Sequence, residues 1–195
     1  SNDMDLGRLA KVNPPIRGRE DVEYLWNSVL DGTIKTVVSD HACATKEIKK
    51  GDLWTSLPGF GGTSLMFPIL ITEGYHKRGL PLHKIAELSS ANPARYHNLY
   101  PKKGAMMVGS DADLAIVDIN EEKEVTLENL YTAQDFSPEE GMKLKGWATY
   151  TILRGNVIFE RGDVVGKPGK GEFIKRPVRL HYKVRHEVAN LIVNR

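Results

Sequence analysis

Asp40, His41 and Cys43 stand almost side by side in "SDHACATKEIKKGDLWTSLPGFGG", residues 39–62. Carboxylate, imidazole and thiolate are the side chains that hold metal ions and move protons, so the group invites a metal centre. Spacing argues against all three acting together. Neighbours on an extended chain point to opposite faces, and a Cys/His site needs further ligands at defined intervals. Asp40 is therefore the candidate for chemistry, while His41 and Cys43 are candidates for shaping its surroundings. Taken alone, Asp40 also has an ordinary explanation, because an Asp after a strand commonly caps a turn.

The elements that must position these residues follow from periodicity. "NPP" at 13–15 forces an extended backbone, since proline fixes its own φ and disfavours the α region before it. "REDVEYLWNSVLDG" spaces Val22, Leu25, Trp26, Val29 and Leu30 at helical intervals, with Gly32 as the stop, and predicts a helix over 20–30. "TIKTVVSD", residues 33–40, is short and β-branched and ends in a polar pair, as a buried parallel strand with functional groups at its C-terminal end would. Helices are expected over 64–78, with Pro68 near the start, and over 80–90, followed by a helical turn through "NPAR" in which Pro93 is early.

From Gly104 the character changes to glycine-punctuated strands: "DADLAIVDI", "EKEVTL", "WATYTILRG" and "NVIFERGDVVG". The tail from Lys167 is basic with scattered apolar residues and reads as an extended arm. The expected division is 1–103, 104–166 and 167–195.

Length and composition bound the function. A chain of 195 residues holds one sizeable core or one and a half smaller ones. With 27% charged residues and a net charge of +2, neither nucleic acid nor a membrane surface is favoured as partner. One cysteine allows no intrachain disulfide, the N-terminal residues lack a signal-peptide pattern, and no apolar run approaches a membrane span, so a soluble cytoplasmic protein is expected.

"NPPIR", "SDHAC", "GFGGTSLMFPIL", "SSANPAR", "KGAMMVGSDADLAIVD", "SPEEGMKLKG" and "TILRGNVIFERGDVVG" occur in an order that resembles the C-terminal portion of the cyclic amidohydrolases. These are the dihydropyrimidinases and D-hydantoinases, with allantoinases and dihydroorotases as cousins. Each motif is weak alone, but seven in order, from about Lys11 to Pro177, are specific. The resemblance implies an α/β fold: the last part of a (β/α)8 TIM-type barrel, then strands of a small β-sandwich domain. In such barrels active residues sit at the C-terminal ends of strands, where the independent reading puts Asp40.

The resemblance also implies roles. Asp40 would bind a metal, usually zinc and two ions in the complete enzyme, and would accept the proton of the attacking water before returning it to the leaving nitrogen. Asn13 matches a position placed against the ring amide or carboxylate of the substrate, with a turn role before the two prolines as the competing view, and Gly61 and Gly62 fall in the loop whose backbone grips the substrate. Relatives with dihydropyrimidinase activity usually carry Asn before two glycines there, whereas Gly59 and Phe60 stand here, so the substrate among cyclic ureides stays open. A dihydroorotase is disfavoured because its carboxylate-binding histidine would fall at Ala44.

The family's other ligands, an HxH pair, a carboxylated lysine and two more histidines, have no match among the six histidines and the lysines of this chain. A C-terminal fragment is therefore expected, needing the N-terminal barrel half and inactive by itself. An allantoinase-like enzyme is one alternative. A non-catalytic dihydropyrimidinase-related assembly protein is another, which retention of Asp40 speaks against. A "GKPGKGEFIKR" tail resembles an extension that reaches a neighbouring subunit of a homo-oligomer, a tetramer in relatives, although Lys170, Lys175 and Arg176 equally suit a solvated basic arm.

Overall fold

The structure, a computed structural model, describes residues 7–175. Helix α1 spans Arg19–Leu30, one residue earlier than the periodicity predicts. Glu20 and Asp21 in its first turn oppose the positive end of the helix dipole. It ends where Gly32 enters the left-handed region at φ 81° and the Asp31 carboxylate accepts the Thr33 N–H at 2.7 Å. Trp26 and Val29 turn towards the helical core, and the Arg78 guanidinium stacks 4.9 Å from the Trp26 ring.

The next helical stretch starts as a tight turn, Thr63–Leu65, continues as α2, Met66–Ile69, and then widens into π-type turns over Leu70–His76. Pro68 falls in the first turn of α2, where the amide it lacks has little intrahelical use. α3, Leu82–Ala86, likewise passes through a wide stretch, Glu87–Ala91, into α4, Asn92–Tyr96, where Pro93 is among the first residues. Leu70, Ile71, Leu80, Ile85 and Leu88 bury together as the core of these helices.

Residues 33–40 correct one expectation, because they do not form a strand. Their backbone is held at separate points rather than along a ladder: Ile34 N–H to Ser28 O at 2.9 Å, Val37 N–H to Leu88 O at 3.1 Å, and Lys35 O accepting from Asn92 Nδ2 at 2.9 Å. Val37 packs against the helical core while Val38 is 73% exposed. The physical reason is the lack of a ladder: a parallel strand needs neighbours on its edges, and no described residues supply one here.

The second half carries a four-stranded antiparallel sheet in the order β1, Leu114–Glu124; β2, Lys143–Leu153; β3, Asn156–Glu160; β4, Asp163–Val164. Two expected strands, within 111–119 and 122–127, are one. The register of β1 on β2 slips between Asp118 and Glu122, where the Asp118 carboxylate accepts the N–H groups of Asn120 and Glu121 at 2.9 and 3.2 Å. The β2–β3 and β3–β4 turns both read Arg-Gly, with all four residues at positive φ, the geometry that two-residue hairpins need.

Helices and sheet share a core. Leu65 buries with Val125, Leu130, Leu144 and Trp147, and the Thr72 hydroxyl both donates to Lys145 O, at 3.2 Å, and accepts from Lys145 N–H, at 2.7 Å. At the join, Lys103 pairs with Asp111 at 2.8 Å and with Asp113, Lys102 pairs with Asp111 at 2.7 Å, and Asp113 accepts the Arg154 N–H at 2.8 Å. The lysines hold the Asp111 carboxyl down to about 2, the hydrogen bond from Lys102 being the largest cause.

Of the expected arm, residues 167–175 have no helix or strand and are tied back where Arg154 donates to Lys170 O and pairs with Glu172 at 3.3 Å. The remainder of the arm, Arg176 included, lies outside the described residues. Among the described residues no helix is long and apolar enough to cross a membrane.

Candidate functional site

Three separate segments meet around Asp40. The chain at 39–42 runs beside the glycine-rich loop: Ala42 N–H donates to Phe60 O at 3.1 Å, and the Ser39 and Thr63 hydroxyls lie 3.4 Å apart. His41 Nδ1 accepts the N–H groups of Gly62 at 3.1 Å and Thr63 at 3.4 Å, which puts the proton of a neutral ring on Nε2. The third segment arrives through Gly59 N–H, which donates to Lys11 O at 2.8 Å, two residues before Asn13.

Asp40 itself sits in the left-handed region at φ 47°. Asp tolerates this conformation better than most residues, and such positions cluster at functional sites. Its side chain is exposed and makes no hydrogen bond or ion pair with any described residue. The ordinary turn role would have given the carboxylate a backbone N–H nearby. It has none among the described residues, so that role leaves the group unexplained.

Asn13 is exposed, and nothing among the described residues joins its side chain to Asp40. Gly61 is buried and Gly62 half-buried. Gly61 has no room for a side chain, since a Cβ there would overlap the Gln134 amide and come within 2.9 Å of the His41 ring. The geometry thus brings Gly61 and Gly62 directly against the Asp40 segment, and Asn13 only through the backbone at Lys11.

Sequence reasoning missed the residues that back this loop. Lys49 is fully buried, donating from Nζ to Lys11 O at 3.0 Å and to Gly59 O at 2.7 Å. Burial, and after it the nearby Lys11 charge, pull its ammonium below the ordinary lysine value. Lys11 Nζ in turn donates to Ser56 O at 2.6 Å and Trp54 O at 3.0 Å. From the other side, Asp135 accepts the Lys46 N–H at 2.8 Å, and the Thr132 hydroxyl donates to Cys43 Sγ at 3.7 Å. Nothing in "KEIKKG" or "YTAQDF" marks these residues, because lysine and glutamine in polar stretches read as solvated.

Asp40 alone does not make a metal centre. Among the described residues no group of three His, Cys, Asp or Glu side chains is placed to hold an ion. A zinc ion takes about four ligands, so the described residues fit such a group as the donor of one carboxylate. Beside the site an apolar cleft of about 420 Å³ opens between α1, residues 34–39 and the start of α2, lined by Val22, Trp26, Val38, Phe60 and Met66. Its walls offer surface to cover rather than groups that react.

These segments and the elements around them match the model of the amidohydrolase family over residues 11–158. The chain belongs to that family. It is 43% identical to an allantoinase of Rubrobacter xylanophilus over 175 residues, which are 89% of this chain and 38% of that protein. It is 34% identical to an L-hydantoinase of Paenarthrobacter aurescens, again across 88% of this chain and 38% of the relative. A crystal structure of a D-hydantoinase overlays with a TM-score of 0.81 at 33% identity, covering 87% of this chain and 38% of that one. The amidohydrolase fold expected from the motifs is thus present as a part: the chain spans under two-fifths of the length of the relatives it matches.

Proposed function

We propose that this chain is the part of a cyclic amidohydrolase that supplies Asp40 to a zinc-dependent site, where the ring amide of a hydantoin, dihydropyrimidine or allantoin-type ureide is hydrolysed. The observation that carries the reading is Asp40: a left-handed, exposed carboxylate without a partner among the described residues, with the Gly61–Gly62 backbone held beside its segment by His41. Zinc, when bound, brings the pKa of a coordinated water towards neutrality.

The chain's own residues do the rest. Asp40 would be one ligand and takes the proton of the attacking water, then delivers it to the ring nitrogen as the C–N bond breaks. The backbone of Gly61 and Gly62, close to the substrate because neither carries a side chain, orients the ureide, and Asn13 contacts its ring. Residues 1–103 belong to the barrel, 104–166 to the small β domain and 167–195 to an arm that reaches a neighbouring subunit of a homo-oligomer. The remaining ligands come from polypeptide outside this chain. A cytoplasmic enzyme accords with the single cysteine.

An allantoinase-like activity is the second reading. It is favoured by the higher identity to the allantoinase than to the L-hydantoinase, and by Gly59 and Phe60 in the loop. A ring-opening assay across hydantoin, dihydrouracil and allantoin tests both. The complete, zinc-loaded enzyme should open at least one of the three, and this chain alone none. Activity in the isolated chain, or none in the complete enzyme, would overturn the proposal.

A further inference from the structure

We propose that Lys49 is a positioning residue, setting the spacing between the segment that carries Asn13 and the loop that carries Gly61 and Gly62, and so the fit of the ureide. This rests on the reading above that these residues contact the substrate. Lys49 is 0% exposed, and its ammonium donates to Lys11 O at 3.0 Å and Gly59 O at 2.7 Å while lying over the Phe136 ring, whose centroid is 5.5 Å away. No carboxylate pairs with it among the described residues.

A buried ammonium without a counter-charge is costly to hold, and methionine would fill the same space without that cost. What only the ammonium provides is direction: it joins two carbonyls from segments remote in sequence. Its own carbonyl is fixed in turn by Arg8 Nε at 2.8 Å. Lys11 O also accepts Gly59 N–H at 2.8 Å, so both of its lone pairs are used and the two segments are pinned at one point.

Each proposed substrate contact lies a short way beyond the pin. Asn13 is two residues from Lys11 and Gly61 two from Gly59, about 7 Å of extended chain in each case. A shift at the pin is therefore delivered to both contacts along their own chain, while Asp40, on a separate segment, feels it only at second hand, across the Ala42–Phe60 and His41–Gly62 bonds. Loss of Lys49 should consequently weaken substrate binding more than the proton transfer at Asp40.

The test is Lys49→Met and Lys49→Arg in the complete, zinc-loaded enzyme, with hydantoin, dihydrouracil and allantoin as probes and amide hydrogen exchange at Gly59 followed in parallel. Lys49→Met should raise KM roughly tenfold to a hundredfold, the range for a lost charged hydrogen bond, with kcat within about threefold and zinc content unaltered. Lys49→Arg should recover about half of that loss on a logarithmic scale, leaving KM roughly threefold to tenfold above wild type, and Gly59 should lose protection in Lys49→Met alone.

A KM within about twofold of wild type, or a loss confined to kcat, would overturn the proposal. If Lys49→Met does not fold, Lys49→Arg decides: a KM change of at least about threefold at unchanged melting temperature supports the pin, and no change in either contradicts it. If wild-type enzyme opens none of the ureides, the reading of the site has failed. The exchange data then judge Lys49 separately, since unaltered protection of Gly59 in Lys49→Met removes the pin itself.

Discussion

The sheet and the Asp40 loop are built on opposite terms. In the sheet each of β1 to β4 finds a neighbour within the same chain, and Leu144 and Trp147 bury against Leu65 and Val125. Residues 33–62 hold irregular chain and a few turns, fastened by backbone bonds, three cations donating to carbonyls, and side chains from 132–136. Apolar side chains stay wet there: Val38 is 73% and Trp54 87% exposed. The difference teaches that regular structure forms where hydrogen-bonding partners are local, and that residues 33–40, which find no ladder among the described residues, stay irregular.

Three stability measurements would break or sharpen this contrast. The largest effect belongs to the sheet core. Leu144 is buried at 1% exposure, and Leu144→Ala should cost about 2–5 kcal/mol in denaturant unfolding, through lost transfer energy and the cavity left behind. A cost under about 1 kcal/mol would mean that the sheet core is not tightly packed.

Next comes the ionic join between helices and sheet. Asp111 titrates at about 2 in the folded chain instead of an ordinary 3.8. Because the folded value is depressed, its contribution is present above the unfolded value and is lost as pH falls through about 2. The unfolding midpoint of wild type should therefore drop between pH 4 and 2 more steeply than that of Asp111→Asn. Parallel curves for the two would remove the lysine clamp from the account. The smallest effect is expected at Val38, where Val38→Ala should change stability by no more than about 0.5 kcal/mol, since the side chain is already in water. A core-sized loss would show that residues 33–40 are packed like the sheet.

How far the sequence alone reached follows the same division. Helix α1 was readable because its apolar spacing and Gly32 are local signals, and the strands after Gly104 because glycines punctuate them. The bulge in β1 was not readable: Asp118 bonding to Asn120 and Glu121 breaks the alternation and mimics a strand end. The β-branching of 33–40 suggested a buried strand, but strand pairing depends on partners that no local pattern contains. At the site, Asp40 and the glycines could be singled out from their motifs. Lys49, Gln134 and Asp135 could not, since their importance lies in contacts across 38 to 89 residues of chain.

The central claim is that the Asp40 carboxylate does chemistry. Asp40→Asn in the complete, zinc-loaded enzyme keeps the shape and the left-handed backbone that Asn also tolerates, but removes the base. The account predicts a fall in kcat for ureide ring opening of roughly 10²–10⁴-fold, with the melting temperature of wild type. Turnover within a few-fold of wild type would contradict it.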